Sequence, residues 1–381
     1  MDGDNGEITP HRLDHGWSTE VTGGRRGVAL TPMETRRDVM VRTARLADEL
    51  GYEVFALPEG WGLDSTAMLA EIATVTQRIR LVSGILSVWG RTPGTLAMTA
   101  ATLQQISGGR YVLGLGASTS ALVEGFHDTP FVHPAHQLAH TVTAVRALLA
   151  GEPAPLRHVP HARPLRLGLQ PAPDVPIWVA SLGSRTLRVA ADLADGWFPA
   201  LVALDRLTGL VAQLEQPPTR DVGQLQPFTV AAGPLAVADE NPQSARDIAG
   251  SCIAWYVCAM GDVYAQSLAR QGYGTEVRAL RAANPHPSPR TGRIPAEAQA
   301  LLDQLAAIGS TEQIRAHLER WDAVADVVMI GLPPGLPWPT IETTLHIAAP
   351  RPAADAHPQL RVDLPAARRP AMSTTTNPRT V

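Results

Sequence analysis

The sequence predicts a single α/β barrel in which eight parallel strands alternate with helical segments. Two observations predict this fold. Short apolar runs of strand type recur eight times along the chain, and most of them are separated by stretches with helical spacing. The length of 381 residues suits one large barrel as well as two average domains. We therefore expect a (β/α)8 (TIM) barrel with a helical insertion before the last strand.

The predicted elements follow one another in a regular order. The apolar spacing of residues 39–50 predicts a helix that ends at Gly51. The gap between residues 237 and 324 is too long for one helix, so residues 243–307 are expected to form several helices that act as a lid or an oligomer contact. The eight predicted strands cover residues 27–30, 54–57, 79–86, 111–115, 177–181, 196–201, 228–237 and 324–330.

The two ends of the chain lack hydrophobic periodicity. Residues 1–24 are polar and contain glycine, and residues 349–381 are rich in Pro, Ala, Arg and Thr. Both segments are expected to be disordered tails that flank a barrel of residues 25–348. The first residues include no apolar core, so no secretory signal is predicted.

Composition limits the partners of the chain. Hydrophobic residues make up 45% and charged residues 18%, with no apolar stretch long enough to cross a membrane. The formal net charge of -4 comes without a basic block, which disfavours a nucleic-acid partner. Cys252 and Cys258 lie six positions apart on a predicted helix, about 120° apart around its axis, where they cannot bridge each other. We expect a soluble protein of the reducing cytoplasm.

The sequence contains no lysine, since all 32 basic residues are arginine. A Schiff-base aldolase, a pyridoxal enzyme and the usual phosphate-loop nucleotide site each need a lysine amine. These three classes are excluded, whatever the reason for the missing lysine.

The most informative stretch is the third predicted strand and the strand that follows it. Gly84 lies inside a strand, where glycine usually marks a bulge or the close approach of a ligand. In the next strand Gly114 and Gly116, with Ala117 and Ser118, leave space at the carboxyl end. Barrel active sites lie at that end of the strands, so a flat cofactor is expected there.

Three blocks of the sequence resemble the luciferase-like flavin and deazaflavin oxidoreductases, including the methylene-tetrahydromethanopterin reductase branch. The first block combines residues 84–93, an Ala- and Leu-rich helix, Ser-Gly-Gly-Arg at 107–110 and Leu-Gly-Leu-Gly-Ala at 113–117. The second is residues 176–197, and the third is residues 308–314 leading to Val327 and Met329. The resemblance covers residues 25–348 and implies a redox enzyme that uses coenzyme F420 or, alternatively, FMN.

The resemblance also implies a set of cofactor-binding residues. The Gly84–Ile85 peptide matches a bulge that is a cis bond in several relatives, although an ordinary trans bulge is the alternative. Residues 182–185 match a phosphate loop, with Arg185 or Arg188 adding charge, although this segment is alternatively a simple strand-to-helix turn. The full implied set is Ser83, Gly84, Ile85, Gly116, Ala117, Ser118, Ala180, Ser181, Leu182, Gly183, Ser184 and Arg185.

Acids and aromatics near the strand ends supply further candidates. Glu59, Glu34 and Glu124 are candidate catalytic groups, because each follows a predicted strand and relatives place an acid or histidine at the position of Glu59. The alternative for each is a structural role, such as a salt bridge at the rim. Thr31 is a further candidate proton donor and pocket residue, and Trp61 and Trp89 are expected to wall the substrate pocket or simply to pack.

One histidine pattern resembles a metal site. His133, His136 and His140 are three and four residues apart at the entry to a predicted helix, so two imidazoles share a face. The segment is also an ordinary amphipathic helix with no carboxylate at ligand spacing. We favour the helix, and no metal is predicted.

Three functions remain open from the sequence. The first is hydride transfer between reduced coenzyme F420 and a small organic substrate, in which the protein positions the ring and supplies a proton donor. The second is a monooxygenase that uses reduced FMN and oxygen. Either enzyme is expected to act as a homodimer and to receive reduced cofactor from a flavin or F420 reductase. The third is a barrel subunit that has lost its cofactor.

Overall fold

The computed structural model describes residues 24–214 and 228–351. Within these ranges the strands pair in parallel around a closed barrel, as predicted. Closure is made by the first and last strands, with Arg26 opposite Val328. In chain order the strands are β1 (Arg26–Leu30), β2 (Val54–Leu57), β3 (Arg80–Ser83), β4 (Leu86–Ser87), β5 (Tyr111–Gly116), β6 (Ile177–Ala180), β7 (Gly196–Trp197), β8 (Thr229–Ala232), β9 (Leu235–Ala238), β10 (Ala306–Gly309) and β11 (Val327–Leu332).

Helices cover the outside of the barrel and follow most of its strands. The predicted first helix is α1, and Gly51 follows it with a φ of 82°, as a helix-ending glycine should. The helices are α1 (Arg37–Glu49), α2 (Ser65–Val75), α3 (Pro93–Ile106), α4 (Ser120–Gly125), α5 (Pro134–Leu149), α6 (Ser184–Leu193), α7 (Leu204–Leu214), α8 (Pro242–Ala259), α9 (Val263–Leu268), α10 (Gly274–Ala283), α11 (Gln299–Leu305), α12 (Thr311–Asp322) and α13 (Trp338–Ala348).

Two predicted strands are interrupted in the structure. Residues 79–86 divide into β3 and β4 at Gly84, and residues 228–237 divide into β8 and β9 at Gly233 and Pro234. A Cβ at Gly233 would lie 2.1 Å from the backbone oxygen of Met329, so only glycine fits there. The predicted strand 196–201 is shorter, at two residues, and the predicted strand 324–330 begins and ends later, as β11.

The insertion before the last barrel strand is mainly helical, as predicted, but it ends in a strand. It contains α8, α9, a π-helical turn at Ala269–Tyr273, α10, a 3-10 turn at Ala296–Ala298 and α11. The prediction of helix up to residue 307 is wrong at its end, because Ala306–Gly309 forms β10 and pairs in parallel with β9. Ser310 then begins α12 with a capping box to Gln313.

Two apolar cores hold the barrel together. The larger core packs helices against the outer faces of the strands. The smaller fills the barrel interior around Trp178 and Met329, together with Val54, Ala56, Val82, Val112, Ala231 and Val327. Such a filled interior is typical of this fold. This smaller core, which we call the interior plug, forms a floor on which a ligand at the strand ends would rest.

Membrane length and cysteine chemistry complete the description. In the ranges 24–214 and 228–351, no single helix is long and apolar enough to span a membrane. The segments Pro242–Ala259 and Val263–Ala283 reach the required length and hydropathy only when they are taken together, and the chain bends by 102° between them. Cys252 and Cys258 both lie on α8 and are free thiols. Residues 1–23 and 352–381, most of the two predicted tails, lie outside the described ranges.

Candidate active site

A cavity of about 640 Å³ opens at the carboxyl ends of the barrel strands. Its floor includes Ala29, Ala56 and Met329, which belong to or pack against the interior plug. Every barrel strand contributes residues to the wall at or just beyond its carboxyl end. This is the place where barrels of this class build their active sites, and its volume suits a cofactor with a small substrate.

The third, fourth and fifth barrel strands end side by side at this cavity. Leu86 of β4 pairs with Leu115 of β5, and Gly116 of β5 pairs with Ala180 of β6. Most of the predicted cofactor set therefore lies together on one wall. The members that line the cavity are Gly84, Ile85, Gly116, Ala117, Ser118, Ala180, Ser181, Leu182 and Gly183.

The Gly84–Ile85 peptide forms a bulge with a trans bond, the second of the two predicted alternatives. Ile85 has a φ of 137°, and the structure has no cis bond in the ranges it describes. A positive φ is rare for a β-branched residue and indicates a backbone held by its surroundings. The Gly84 amide donates to the Leu57 carbonyl at 2.8 Å, and a Cβ at Gly84 would lie 2.8 Å from the Pro58 nitrogen. Contact with β2 is thus enough to require glycine at position 84.

The segment after β6 offers unpaired donors to the cavity. Gly183 is the N-cap of α6, and none of the described side chains caps this helix end, so its first amides are available to an anion. The Ser181 hydroxyl is buried without a hydrogen-bond partner among the described residues, as is the hydroxyl of Thr31 across the cavity. Arg270 of the insertion also lines the cavity, and its guanidinium donates to the Leu182 carbonyl at 3.3 Å.

Glu59 lines the cavity but is held in an ion pair. The Arg91 guanidinium donates to the Glu59 carboxylate and, at 2.9 Å, to Asp64. Burial lowers the pKa of Arg91, but hydrogen bonding and attraction to these carboxylates outweigh it and raise the pKa overall. Glu59 therefore accepts hydrogen bonds from a permanent cation, an arrangement that suits ring or substrate positioning better than proton donation.

Glu34, a predicted catalytic residue, lies outside the cavity lining. Its buried carboxylate accepts two hydrogen bonds from the Arg36 guanidinium, at 2.9 and 2.6 Å, and one from the Gly335 amide at 3.1 Å. It therefore joins the loop after β1 to the loop after β11. Glu34, predicted as a catalytic residue, is therefore placed in a local ion pair and not at the cavity.

We expect Glu34→Gln to lower the free energy of unfolding at pH 7 by about 2 kcal/mol, since Arg36 would lose its charged partner. Burial raises the pKa of Glu34, but the hydrogen bonds from Arg36 and Gly335 outweigh it and lower the pKa below 4.5. The carboxylate's contribution is therefore complete above pH 4.5 and disappears as the pH falls through the lowered value. Urea unfolding should show a difference from wild type that shrinks on acidification.

The outer ion pair of Glu71 with Arg37 provides a matched control for this prediction. Glu71→Gln should change stability by less than about 1 kcal/mol, because exposed pairs contribute little. A pH-independent loss in Glu34→Gln would contradict the assigned ion pair.

Several other predicted site residues lie behind the wall or outside it. Ser83 is fully buried and binds the Gly114 amide and the Tyr111 hydroxyl, so it joins β3 to β5. Ser184 and Arg185 are exposed on the first turn of α6, where only their backbone amides face the helix end. Glu124 is exposed on α4 and accepts from the Phe131 amide at 3.2 Å. Among these residues none is part of the cavity lining.

The two predicted pocket tryptophans pack near the cavity without lining it. Trp61 is 49% exposed, and the centroid of its ring lies 6.1 Å from the ring centroid of Trp255 in the insertion. Trp89 packs against Phe131 with the ring centroids 5.9 Å apart and the rings tilted by 48°, and its Nε1 donates to the Ala117 carbonyl at 3.0 Å. Trp89 thereby supports a wall whose surface is formed by Phe131 and Ala117, and Trp61 connects the β2 loop to the insertion.

The insertion contributes cavity residues that the sequence did not reveal. Tyr256, Met260 and Tyr264, together with Arg270, line the cavity from α8, α9 and the π-helical turn. The predicted lid role is consistent with this position over the strand ends. The sequence predicted several helices in this segment but gave no role to the tyrosines.

Two of the three histidines at the start of α5 lie beside cations, and the three do not form a ligand cluster within the described residues. His133 precedes the helix with a φ of 51°, and the Arg157 guanidinium lies 3.2 Å from His136 Nδ1. Burial and the nearby cations and histidines, including Arg157, lower the pKa of His140. No group of three or more ligating side chains occurs within residues 24–214 and 228–351.

Comparison with known proteins decides the family. The sequence profile of the luciferase-like monooxygenase family matches residues 20–326. The chain belongs to this family. The resemblance predicted from the three sequence blocks is thereby confirmed, and the profile spans all of the barrel strands up to the start of β11.

Proteins similar to this chain are named for, or were solved with, either cofactor. A Mycobacterium tuberculosis protein named as a coenzyme F420-dependent oxidoreductase is 28% identical over 309 residues, which cover 74% of this chain and 87% of that protein. The coenzyme F420-dependent tetrahydromethanopterin reductase of Methanopyrus kandleri has the same fold, with a TM-score of 0.65 at 18% identity over 86% of this chain and 98% of that one. The oxygenating constituent of 3,6-diketocamphane monooxygenase from Pseudomonas putida was solved with FMN. It matches this chain with a TM-score of 0.60 at 15% identity, over 88% of this chain and 99% of that one.

Proposed function

We propose that this protein is an oxidoreductase that transfers a hydride from reduced coenzyme F420 to a small organic substrate, or in the reverse direction. The observation that carries the proposal is the cavity at the strand ends, with an open wall beside the start of α6, which no described side chain caps. The F420-dependent relative from Mycobacterium tuberculosis, which matches most of the chain, supports the choice of cofactor.

The described residues fit a planar ring with a phosphate tail. The Gly84–Ile85 bulge and residues 116–118 would hold the ring over the interior plug. The α6 amides and Arg270 would hold the phosphate, because amides at a helix start and a guanidinium both favour an anion. When bound, the reduced deazaflavin supplies a hydride without activating oxygen. The chain's own contribution is to orient ring and substrate and to exclude water.

Titration with oxidised F420 and with FMN tests this proposal. We expect saturable binding of F420 with a clearly lower Kd than that of FMN, measured by the change in absorption or fluorescence of each cofactor. Substrate reduction under anaerobic conditions should then need only reduced F420. Tighter binding of FMN, with turnover that consumes oxygen, would contradict the proposed cofactor.

A second candidate function is an FMN-dependent monooxygenase supplied by a partner flavin reductase. The neighbour that was solved with FMN favours it, because that protein shares the barrel fold. Oxygen consumption that appears only with reduced FMN would establish this alternative. Failure to bind either cofactor would instead favour a barrel subunit without catalytic function.

The setting of the enzyme is part of the same proposal. We infer a cytoplasmic enzyme whose barrel, residues 25–348, acts as a homodimer and receives its reduced cofactor from a separate reductase. The free thiols Cys252 and Cys258 support a reducing compartment. The end of α13 at Ala348 agrees with the proposed barrel boundary.

A further inference from the structure

The charged groups of the cavity are already committed to other partners. Among the described residues that line it, the carboxylates are Glu59 and Asp262. Glu59 is paired with Arg91, and Asp262 accepts from Arg281 at 2.6 Å. The described lining includes no histidine or cysteine. A substrate in this cavity would therefore meet hydroxyl groups rather than a free acid or base.

Two tyrosines of the insertion meet at the cavity. Tyr256 of α8 and Tyr264 of α9 have ring centroids 5.1 Å apart with an interplanar angle of 73°. Both line the cavity. The ring of Tyr256 is also fixed on its other side by Trp255, at 5.3 Å. The pair is therefore held by edge-to-face packing, which stabilises aromatic clusters and fixes the ring orientation.

The hydroxyl groups of this tyrosine pair are unused. Neither Tyr256 nor Tyr264 makes a side-chain hydrogen bond within the described residues, and neither oxygen is among the unpaired atoms sealed from water. Tyrosine hydroxyls in protein interiors usually find a partner. Two phenols whose rings meet at the cavity, and whose hydroxyls have no partner among the described residues, are therefore placed to bind a ligand.

Burial keeps both hydroxyls protonated at neutral pH. It raises the pKa of Tyr264 to about 12, and burial followed by the neighbouring Tyr264 raises the pKa of Tyr256 well above its ordinary value. A protonated phenol donates a hydrogen bond to an acceptor oxygen. The pair therefore presents two donors to the cavity.

The insertion's side of the cavity includes Asp262, Gln266 and Arg270, the residue proposed to hold the phosphate. Apart from these three and the two tyrosines its side chains are apolar, and these favour an uncharged ligand. Met260, Leu201, Leu235 and Leu305 line the cavity. Placing a carboxylate or an amine against such side chains without a partner of opposite charge is costly. A neutral molecule with one acceptor oxygen matches both the apolar walls and the paired donors.

We propose that Tyr256 and Tyr264 together bind the carbonyl oxygen of a neutral aldehyde or ketone substrate, an inference that rests on the proposed hydride-transfer function. Addition of a hydride to the carbonyl carbon moves the π electron pair onto the oxygen. Two O–H donors stabilise that negative charge. The cofactor of the proposed function is the reductant, and water supplies the proton that converts the alkoxide into the alcohol.

Binding of the neutral ketone prodan to the cofactor-free protein tests the tyrosine pair directly. Prodan is a fluorescent naphthyl ketone whose emission moves to longer wavelength when its carbonyl accepts hydrogen bonds. We expect Tyr256→Phe and Tyr264→Phe each to raise its Kd about 5-fold, the effect of one lost hydrogen bond. The double variant should show a larger increase and emission at shorter wavelength.

Two controls separate the proposed contact from general damage. Tyr273→Phe removes a hydroxyl that donates to Asp205 outside the cavity lining, and it should leave prodan binding unchanged. The parent dimethylaminonaphthalene, which is prodan without its ketone, should bind wild type and the double variant with equal Kd. Retained thermal midpoints would show that all variants are folded.

The outcomes distinguish this inference from the proposed function. If F420 binds but prodan fails to bind, or binds wild type and double variant with equal Kd and emission, the carbonyl contact is wrong and the proposed function stands. If the variants weaken prodan binding as expected while neither F420 nor FMN binds, the proposed function is wrong and the carbonyl contact stands.

Discussion

Gly183→Trp is expected to weaken binding of F420 by about 100-fold or more, which corresponds to roughly 3 kcal/mol. Gly183 lines the cavity at the start of α6, and an added Cβ would lie 3.6 Å from the Thr186 hydroxyl, an ordinary contact. The backbone at this residue is extended, with φ of -95°, so tryptophan fits the chain. Its indole would instead occupy the space where a phosphate meets the α6 amides. Fluorescence titration with oxidised F420 measures the change.

A matched control for this variant is Gly168→Trp. Gly168 is exposed in the segment between α5 and β6, with no described atom within 4 Å of an added Cβ. The same side chain placed there should leave the Kd for F420 unchanged. Equal affinity in Gly183→Trp and wild type would place the phosphate elsewhere, and the α6 start would then be a simple strand-to-helix turn.

Part of the wall beside α6 was predictable because its signals are local in sequence. Gly116, Ala117 and Ser118 stand at the carboxyl end of an apolar strand, whereas Ser181 and Gly183 were predicted from the family resemblance. Small residues at a strand end indicate space there whatever the rest of the fold does. The parallel barrel then brings these strand ends together, so most of the predicted cofactor residues line one cavity.

Tertiary contacts decided where the predicted acids lie. Glu34 followed a predicted strand as a catalytic acid would, but its carboxylate pairs with Arg36 and also binds Gly335, 301 positions away. Glu59 was correctly placed at the cavity, yet its partner Arg91 lies 32 positions away with no periodic relation to it. Pairing of this kind depends on how loops approach one another in the closed barrel, and neither spacing nor residue type in the sequence encodes it.

The insertion shows the same limit for the tyrosine pair. A long run of helices before the last strand was evident, but which helix faces reach the cavity depends on the bend between α8 and α9. Tyr256 and Tyr264 are brought into contact by that bend. Their edge-to-face packing is a tertiary contact, so the sequence alone gave only helical segments with scattered aromatic residues.

Gly114→Ala is expected to destabilise the barrel by about 3 kcal/mol or more, the upper range for overpacking a well-packed interior. An added Cβ would lie 1.8 Å from the backbone oxygen of Ser83. A backbone carbonyl cannot rotate away as a flexible side chain does. The Ser83 hydroxyl also receives a hydrogen bond from the Gly114 amide at 2.8 Å, so separating β3 from β5 would break that bond as well.

Thermal unfolding measures this effect, with an expected decrease in Tm of roughly 10 °C or loss of soluble protein. Gly209→Ala is the matched control: Gly209 lies in α7 with no described atom within 4 Å of an added Cβ. Alanine favours a helix over glycine by up to about 1 kcal/mol, so the same substitution should there leave the Tm unchanged or raise it. If Gly114→Ala unfolded at the wild-type temperature, β3 and β5 would not approach closely at this position. The Gly84–Ile85 bulge, which depends on the packing of β3 between β2 and β5, would then lack the support that holds Ile85 at its positive φ.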